Sequence, residues 1–239
     1  MNKRGESFFL TYFMLKYVFK ERIFMEKINF DKLMIEEIKK NQDKNITPKL
    51  LLHCCCAPCS SAVLEKLIPF FNITIIFYNP NITLKEEYIK RCEELKKFVL
   101  NKPFNNVSII EEDYDPSLFL LKTKGLENDK EGGKRCYLCY EMRLERTALI
   151  AKEKGFDYFA TTLSISPYKN SNWLNEIGSK LSNKYNISYL YSDFKKRQGY
   201  IRSITLSKEY KLYRQDYCGC PFSKKERENV KLLRSQNLE

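Results

Sequence analysis

A thiol-rich turn between an apolar run and a helix start constrains this chain more than any other stretch. Residues 50–61 read LLLHCCCAPCSS, which places four cysteines within six residues. The apolar residues 50–52 predict a short buried strand, and Ser60 and Ser61 are typical N-caps for the helix that follows. The thiols therefore lie on a strand-to-helix turn. In a parallel sheet such a turn lies at the carboxyl edge, where α/β proteins bind their ligands.

Apolar, β-branched segments alternate with helical patterns along the rest of the chain. Strands are predicted at residues 50–52, 73–78, 107–110, 158–163 and 188–191, and helices at residues 29–41, 84–100, 118–121, 136–154 and 173–184. Strands separated by helices are typical of parallel βαβ units. We therefore expect an α/β fold in which a parallel sheet is flanked by helices.

The chain has 239 residues, of which 43% are hydrophobic, and this is enough to bury the core of one domain. It contains no uncharged apolar run of about 18 or more residues, so we expect a soluble protein without a membrane helix. We expect a single α/β domain over residues 25–225. An N-terminal extension of unknown role would precede it at residues 1–24, and a polar tail would follow at residues 226–239.

The cysteine and histidine counts narrow the chemistry. Nine cysteines without a secretory signal favour an intracellular chain whose thiols bind metal or carry out redox chemistry. The odd count disfavours a fully paired disulfide framework. Because His53 is the single histidine, a His-rich catalytic zinc site has too few ligands. A structural role for His53 beside the strand is as good an interpretation as one in orienting a ligand.

Two groups of cysteines follow predicted strands and begin helices. The first contains Cys54, Cys55, Cys56 and Cys59, and the second contains Cys136 and Cys139. Because an α/β fold can bring such junctions to one sheet edge, the two groups can form one site. Four thiolates without histidine suit a structural zinc or an iron–sulfur cluster, and the vicinal pair fits a cluster better. Buried free cysteines are the alternative.

Other residues with possible chemical roles lie outside these groups. Cys218 and Cys220 are one residue apart, so they can form a small, strained and easily reduced disulfide, or serve as extra metal ligands or inert thiols. Cys92 falls inside a predicted helix and reads as a core thiol. Asp113 and Asp115 follow the third strand, where they can face the site or cap the next helix.

The C-terminal part of the chain is basic and aromatic. The net charge is +12, and residues 193–239 hold twelve Lys and Arg against six Asp and Glu. Cations grip phosphates and aromatic rings stack on exposed bases, so this extension is a candidate RNA-binding surface; a solvated charged face is the alternative. The residues concerned are Lys195, Lys196, Arg197, Arg202, Lys211, Arg214, Tyr200, Tyr213 and Tyr217.

Several separated motifs occur in an order that identifies a family. They are Cys55-Cys56-Ala57-Pro58-Cys59-Ser60, Asn79-Pro80-Asn81-Ile82, Arg135-Cys136-Tyr137-Leu138-Cys139-Tyr140 with Arg143-Leu144, Thr161-Thr162-Leu163 with Ser166-Pro167-Tyr168-Lys169, Asp193-Phe194-Lys195-Lys196, and Tyr213-Arg214-Gln215 with Tyr217-Cys218-Gly219-Cys220. Over roughly residues 25 to 225 the chain resembles the QueH family of cobalamin-independent epoxyqueuosine reductases. The resemblance implies a Rossmann-like parallel sheet with a basic, Cys-containing C-terminal extension over its edge.

The resemblance also implies an activity and its cofactors. Members are cytoplasmic enzymes that reduce the epoxide of epoxyqueuosine to queuosine at the wobble position of tRNA anticodons, the last step of queuosine synthesis. It implies a [4Fe-4S] cluster and an electron donor that the sequence does not identify, and it allows an additional mononuclear iron. By position the cluster ligands would be Cys55, Cys56, Cys136 and Cys139, the second-iron ligands Cys59 and Asp115, and the redox-active disulfide Cys218–Cys220. Cys54 departs from the family motif, which needs only the pair after it.

The expected reaction is a two-electron deoxygenation, in which the metal polarises the epoxide oxygen and the Cys218/Cys220 pair recharges the site. One alternative is an ATP-dependent tRNA-thiolating or adenylating enzyme on a related sheet. It would need a Gly-rich phosphate loop where this chain has Cys-Cys-Ala-Pro-Cys. A second alternative is a zinc-stabilised RNA-binding module without catalysis.

Overall fold

The structure is a computed structural model that describes residues 28–236, so the extension predicted at residues 1–24 lies outside the described part of the chain. The strands are β1 (Lys49–His53), β2 (Asn72–Phe77), β3 (Ser108–Glu111), β4 (Tyr158–Thr161) and β5 (Ser188–Tyr189). The helices are α1 (Phe30–Asp43), α2 (Ala57–Leu67), α3 (Lys85–Val99), α4 (Ser117–Lys122), α5 (Lys134–Glu153), α6 (Ser171–Tyr185), α7 (Gly199–Glu209) and α8 (Pro221–Gln236), with 3₁₀ turns at Phe104–Asn106 and Thr162–Ile165.

The five strands form one parallel sheet in the order β3-β2-β1-β4-β5. Leu52 of β1 lies opposite Ile75 of β2 and Ala160 of β4. The predicted α/β fold is therefore confirmed. The strand order reverses direction between β1 and β4, and such a switch point opens a crevice at the carboxyl ends of the strands. The cysteines that follow β1 lie at this crevice.

Helices cover both faces of the sheet. Because side chains alternate along a strand, Leu50 and Leu52 pack on one face with Met34 of α1 and Leu64 of α2. Leu51 packs on the other face with Leu144 of α5 and other residues of α5 and α6. The central strand is thus buried on both sides, as parallel strands are. The result is a three-layer arrangement that holds the carboxyl end of β1 rigidly.

The start of α2 differs from the prediction. Ser60 and Ser61 are not N-caps: α2 begins at Ala57, and their hydroxyls donate to the carbonyl oxygens of Cys56 (2.8 Å) and Pro58 (3.0 Å). The physical reason is that proline fits the first turn of a helix, where its missing N–H leaves no hydrogen bond unmade. The helix therefore begins among the cysteines and takes Cys59 into its first turn.

The C-terminal extension contains more helix than the sequence indicated. Residues 226–236, expected as part of a polar tail, continue α8. The helix was not evident from the sequence because the stretch is rich in charged residues. In the structure its apolar side chains are not packed in a core: Val230, Leu232 and Leu233 are all at least 38% exposed. Within residues 28–236, no helix is long and apolar enough to cross a membrane.

Candidate metal centre and the cleft beside it

Three sulfur atoms meet at the end of β1. The Sγ atoms of Cys55, Cys56 and Cys59 all lie within 4.8 Å of one another, and Cys55 donates to Cys56 at 3.7 Å. The first two residues lie on the turn after β1, and the third lies in the first turn of α2. Cysteine sulfurs that converge in this way can hold a soft metal ion or part of a metal cluster.

The three thiols differ in acidity. Hydrogen bonds from Cys55 and Cys59 hold the pKa of Cys56 well below its usual range, helped by the charge of Arg91 and by Nε2 of Gln215. Donation to Cys56 raises the pKa of Cys55 to about 11, and donation to the other two sulfurs raises the pKa of Cys59. Cys56 is therefore the most acidic thiol of the group, and the thiolate is the form that binds metal.

Cys54 does not join these three sulfurs. It is fully buried in the core on the face that carries Leu50 and Leu52, whereas Cys55 and Cys56 belong to the core on the opposite face. Burial raises the pKa of the Cys54 thiol. Alternation along the chain accounts for the difference between Cys54 and Cys55, and Cys56 lies where the chain leaves the strand to begin α2. Cys54 is thus a core residue in this fold.

His53 makes hydrogen bonds on both sides of its ring. Nε2 lies 3.1 Å from the carbonyl oxygen of Tyr78, and Nδ1 lies 2.9 Å from Oγ1 of Thr161. Because the carbonyl only accepts, the proton lies on Nε2 and the threonine hydroxyl donates to Nδ1. Burial lowers the pKa of His53 to about 4, so the ring is neutral at pH 7. His53 therefore links the ends of three strands and has the structural role.

A second group of thiols lines a narrow pocket at the start of α5. Cys136 and Cys139 lie there with Cys218 and Cys220. Cys136 Sγ accepts a hydrogen bond from the backbone N–H of Gly132 at 3.3 Å, and burial raises the pKa of Cys139 to about 12. Every cysteine in the described part of the chain is a free thiol, so the Cys218–Cys220 disulfide stays a prediction.

The two thiol groups are neighbours. Cys136 packs against the core that contains Cys55 and Cys56. A cleft of about 480 Å³ lies beside them and is lined by Cys55 and Cys59 from the first group and by Cys218 from the second. The fold thus brings both predicted halves of the ligand set to one edge of the sheet.

Arg91 holds the Cys218 segment in place. Its guanidinium pairs with Glu87 at 2.7 Å and donates to the carbonyl oxygens of Cys218 (3.1 Å) and Tyr217 (3.3 Å). Gly219 follows with φ +113°, where an added Cβ would lie 2.8 Å from Ile82. The Cys218-Gly219-Cys220 turn therefore packs closely against α3 and against the turn at residues 79–82, which precedes α3 in the sequence.

Two candidate residues lie away from the sulfurs. Asp115 is exposed, and its Oδ1 accepts a hydrogen bond from the backbone N–H of Ser117 at 2.8 Å. It therefore caps the start of α4, which is the alternative role considered from the sequence. Cys92 is buried in α3, and burial raises its pKa to about 12. It packs in the core on the Cys54 face, as a core thiol would.

The predicted RNA-binding cations are mostly engaged within the chain. Lys195 pairs with Asp193 and donates to the carbonyl oxygens of Ser164 and Lys169, which anchors the loop before α7. Arg214 donates to Ser203 and Ser207 and lines the cleft. The others lie on the surface: Arg197 pairs with Asp31, Arg202 pairs with Glu65, and Lys196 is exposed.

Three side chains at the site, two of them buried and one half-buried, were not predicted from the sequence to have a function. They are Arg91, Arg143 and Gln215. Arg143 and Gln215 occur in the motifs that carry the family resemblance, and this was the available signal. Their roles depend on neighbours far away in the sequence, which a local motif does not reveal.

Known proteins resemble this chain over most of its length. The family model described as "Epoxyqueuosine reductase QueH" matches residues 50–226. A protein of that name from Streptococcus pyogenes serotype M1 is 45% identical over 187 residues, covering 77% of this chain and 73% of the relative. Its namesake in Staphylococcus epidermidis is 48% identical over 181 residues, covering 74% and 76%. One from Thermotoga maritima is 37% identical over 182 residues, covering 74% and 91%.

Proposed function

The chain belongs to the epoxyqueuosine reductase QueH family and is an oxidoreductase of queuosine biosynthesis, and from this we propose how it acts. Its substrate is epoxyqueuosine at the wobble position of tRNA, and its cofactor is a [4Fe-4S] cluster held by Cys55, Cys56, Cys136 and Cys139. Family membership sets aside the thiolating enzyme and the non-catalytic zinc module. A cytoplasmic location would follow from the proposed tRNA substrate.

The convergence of three cysteine sulfurs beside a second thiol group is the observation that carries the proposed cofactor. These donors fit iron and sulfide, because thiolates are the usual ligands of iron–sulfur clusters. Buried polar atoms nearby also lack partners among the described residues: both side-chain polar atoms of Asn81, and the hydroxyl of Tyr140. Buried polar groups are rarely left unpaired. The sulfurs of a group bound among the cysteines would accept hydrogen bonds from Nδ2 of Asn81 and from the hydroxyl of Tyr140.

A cluster bound at these cysteines would supply electrons and Lewis acidity at the epoxide oxygen. The residues of the chain do the rest. Opening the epoxide to the alkene consumes two electrons and two protons and releases water. Oxidation of the Cys218 and Cys220 thiols to a disulfide provides two electrons and two protons. An external donor then reduces the disulfide. One oxidation of the thiol pair thus supplies the two electrons and two protons that one turnover requires.

Cys59 is the proposed ligand of an additional mononuclear iron. Its sulfur lies within 4.8 Å of Cys55 and Cys56, and it borders the open cleft, where a substrate oxygen can approach. Asp115, the other proposed ligand, would have to release its hydrogen bond to Ser117.

The cleft is the proposed position of the modified nucleotide. Thiols form one part of its wall, and the rest includes the guanidinium groups of Arg214 and Arg227 and the rings of Tyr168, Tyr200 and Tyr217. Arginines bind phosphates and aromatic rings stack on splayed bases. A volume of about 480 Å³ suits one flipped nucleotide rather than a duplex. The exposed Lys196 and the surface arginines Arg197 and Arg202 would extend the contact along the anticodon arm.

The decisive test is conversion of the substrate. Protein loaded anaerobically with iron and sulfide is mixed with epoxyqueuosine-containing tRNA and a reductant, and the nucleosides are examined by mass spectrometry. We expect a brown protein and the loss of one oxygen from the modified nucleoside. A colourless protein that holds zinc without iron and leaves the epoxide intact would overturn the proposed cofactor. Cys92→Ala is the matched control, since it removes a buried thiol that lines neither the cleft nor the pocket.

A further inference from the structure

Three arginines near the cysteines are fully buried: Arg91, Arg135 and Arg143, each 1% exposed. Burying a charge is costly unless an opposite charge or hydrogen bonds compensate it. Arg91 has Glu87 at 2.7 Å. Arg135 has Glu226 at 3.6 Å and donates to the carbonyl oxygens of Leu126, Glu127 and Asp129. The buried ammonium of Lys169, on the wall of the same pocket, has Glu131 at 2.8 Å.

Arg143 differs from Arg91, Arg135 and Lys169. Within residues 28–236 no carboxylate lies within ion-pair distance of it, and one terminal nitrogen is buried without any partner. Its Nε donates to the carbonyl oxygen of Cys139 at 3.2 Å, but that oxygen also accepts the helical N–H of Arg143 itself. The described protein groups therefore leave this guanidinium largely uncompensated.

Arg143 borders both groups of thiols. It lines both the cleft beside Cys55 and the pocket of Cys139 and Cys218. A group held by these cysteines would therefore lie beside the Arg143 guanidinium.

We propose that Arg143 is the counter-cation of the metal group bound by the cysteines, and that its charge strengthens binding of that group and raises its reduction potential. This inference rests on the proposed iron–sulfur function. Four thiolates around a cluster leave a net negative charge, which a buried guanidinium stabilises strongly in a medium of low dielectric. An added electron increases the negative charge, so the same cation favours the reduced state.

The proposal predicts opposite effects in the two forms of the protein. Without metal, the guanidinium is a buried cation with little compensation. Replacing it with an apolar side chain of similar length is then neutral or stabilising, as for other buried ions. With metal, the replacement removes the cation that faces the anionic group. A side chain that only fills space would affect both forms equally.

The test compares Arg143→Met and Arg143→Lys with the unaltered full-length protein, before and after anaerobic loading with ferrous iron and sulfide. Midpoint temperatures of unfolding report stability, and a visible-absorbance redox titration reports the potential. We expect metal-free Arg143→Met to unfold at or above the wild-type temperature, and the loaded variant to gain less from loading. Its potential should be lower by at least 59 mV, which is tenfold in the one-electron equilibrium. Arg143→Lys should keep most of both effects.

Two controls belong to the same experiment. Arg135→Met should lower the midpoint temperature without metal, because it leaves Glu226 and three carbonyl oxygens without their partner. Arg146→Met, one turn further along α5, removes a half-exposed charge paired with Glu112 and should change the potential little.

Any of three results would overturn the role of Arg143. Arg143→Met could lose equal stability with and without metal, it could fail to fold without metal, or its reduction potential could equal that of the wild type. If the wild-type protein itself takes up no iron and sulfide, the proposed cofactor fails instead, so the two failures are distinguishable.

Discussion

Gln215 donates a hydrogen bond from Nε2 to the sulfur of Cys56 at 2.9 Å, although 159 positions separate them in the sequence. The contact joins the C-terminal extension directly to the turn after β1. It brings a neutral donor to the most acidic sulfur of the three-cysteine group. The extension is therefore part of the thiol site as well as a surface beside it.

Replacing Gln215 with Met should make Cys56 less acidic. Loss of the hydrogen bond removes about 1 kcal/mol of thiolate stabilisation, roughly fivefold in the acid dissociation constant. The pH at which Cys56 becomes reactive toward an alkylating agent in the metal-free protein should rise accordingly, as measured by peptide mass spectrometry over a pH series. Gln42→Met, at an exposed position of α1, should leave this pH dependence unchanged. An unchanged pH dependence in Gln215→Met would mean that this hydrogen bond does not activate Cys56.

Replacing Gly219 with Ala should loosen the Cys218-Gly219-Cys220 turn. The residue has φ +113°, and the new Cβ would meet Ile82; such strain costs about 1–3 kcal/mol. Cys220, which is 7% exposed, should then react several times faster with a maleimide. Gly125→Ala is the matched control, since Gly125 also has a positive φ but open space around it. Equal reactivity of Cys220 in all three proteins would show that the turn tolerates the methyl group.

Replacing Cys139 with Ala should abolish assembly of the proposed cluster, because one of its four ligands is lost. Iron and sulfide content and the visible absorbance after anaerobic loading provide the measurement. Cys92→Ala should load like the wild type. Full iron occupancy in Cys139→Ala would refute the proposed ligand set.

Replacing Tyr168 with Ala should weaken RNA binding. The ring is 69% exposed at the cleft, and stacking of a base on such a ring contributes about 1–3 kcal/mol. Fluorescence anisotropy with an anticodon stem-loop should show a Kd increase of about fivefold or more, whereas Tyr168→Phe should bind normally. If Tyr168→Ala binds as tightly as the wild type, the nucleotide does not stack there.

Asp31 should make stability depend on pH in the acid range. Burial opposes its ionisation, but ion pairs to Lys66 (2.8 Å) and Arg197 (2.7 Å) hold its pKa below the ordinary value of 3.8. Its contribution is therefore complete above about pH 4 and is lost as the pH falls through the lowered pKa. Asp31→Asn should lower the free energy of unfolding by about 1–3 kcal/mol at pH 7 and by progressively less in acid.

Urea unfolding between pH 2.5 and pH 7 measures this difference, with Asp43→Asn at an exposed position of the same helix as the control. A difference between Asp31→Asn and the wild type that stays constant over this range would mean that the charge of Asp31 is not what stabilises the contact.

Much of the fold could be predicted because its signals are local. The β-branched run of β2 and the amphipathic pattern of α1 come from residues a few positions apart, so their order and type follow from the sequence. Where several helix-start signals are adjacent, the sequence does not show which one determines the first residue of the helix. Here α2 begins at Ala57, next to Pro58, and not after Ser60 and Ser61. The highly charged α8 has few apolar residues, so its helical pattern was weak in the sequence.

The sequence alone determined that two groups of cysteines follow parallel strands and that a basic extension carries a further pair. Only the tertiary structure decided which thiols share a space. It turned Cys54 to one face of the sheet and its neighbours to the other, and left Asp115 in solvent as a cap. It also placed Gln215 on Cys56 and brought Arg143 to a pocket that Cys139 and Cys218 line. The reason is that spacing along the chain sets where an element begins, whereas charge compensation and metal coordination depend on contacts between residues far apart in the sequence.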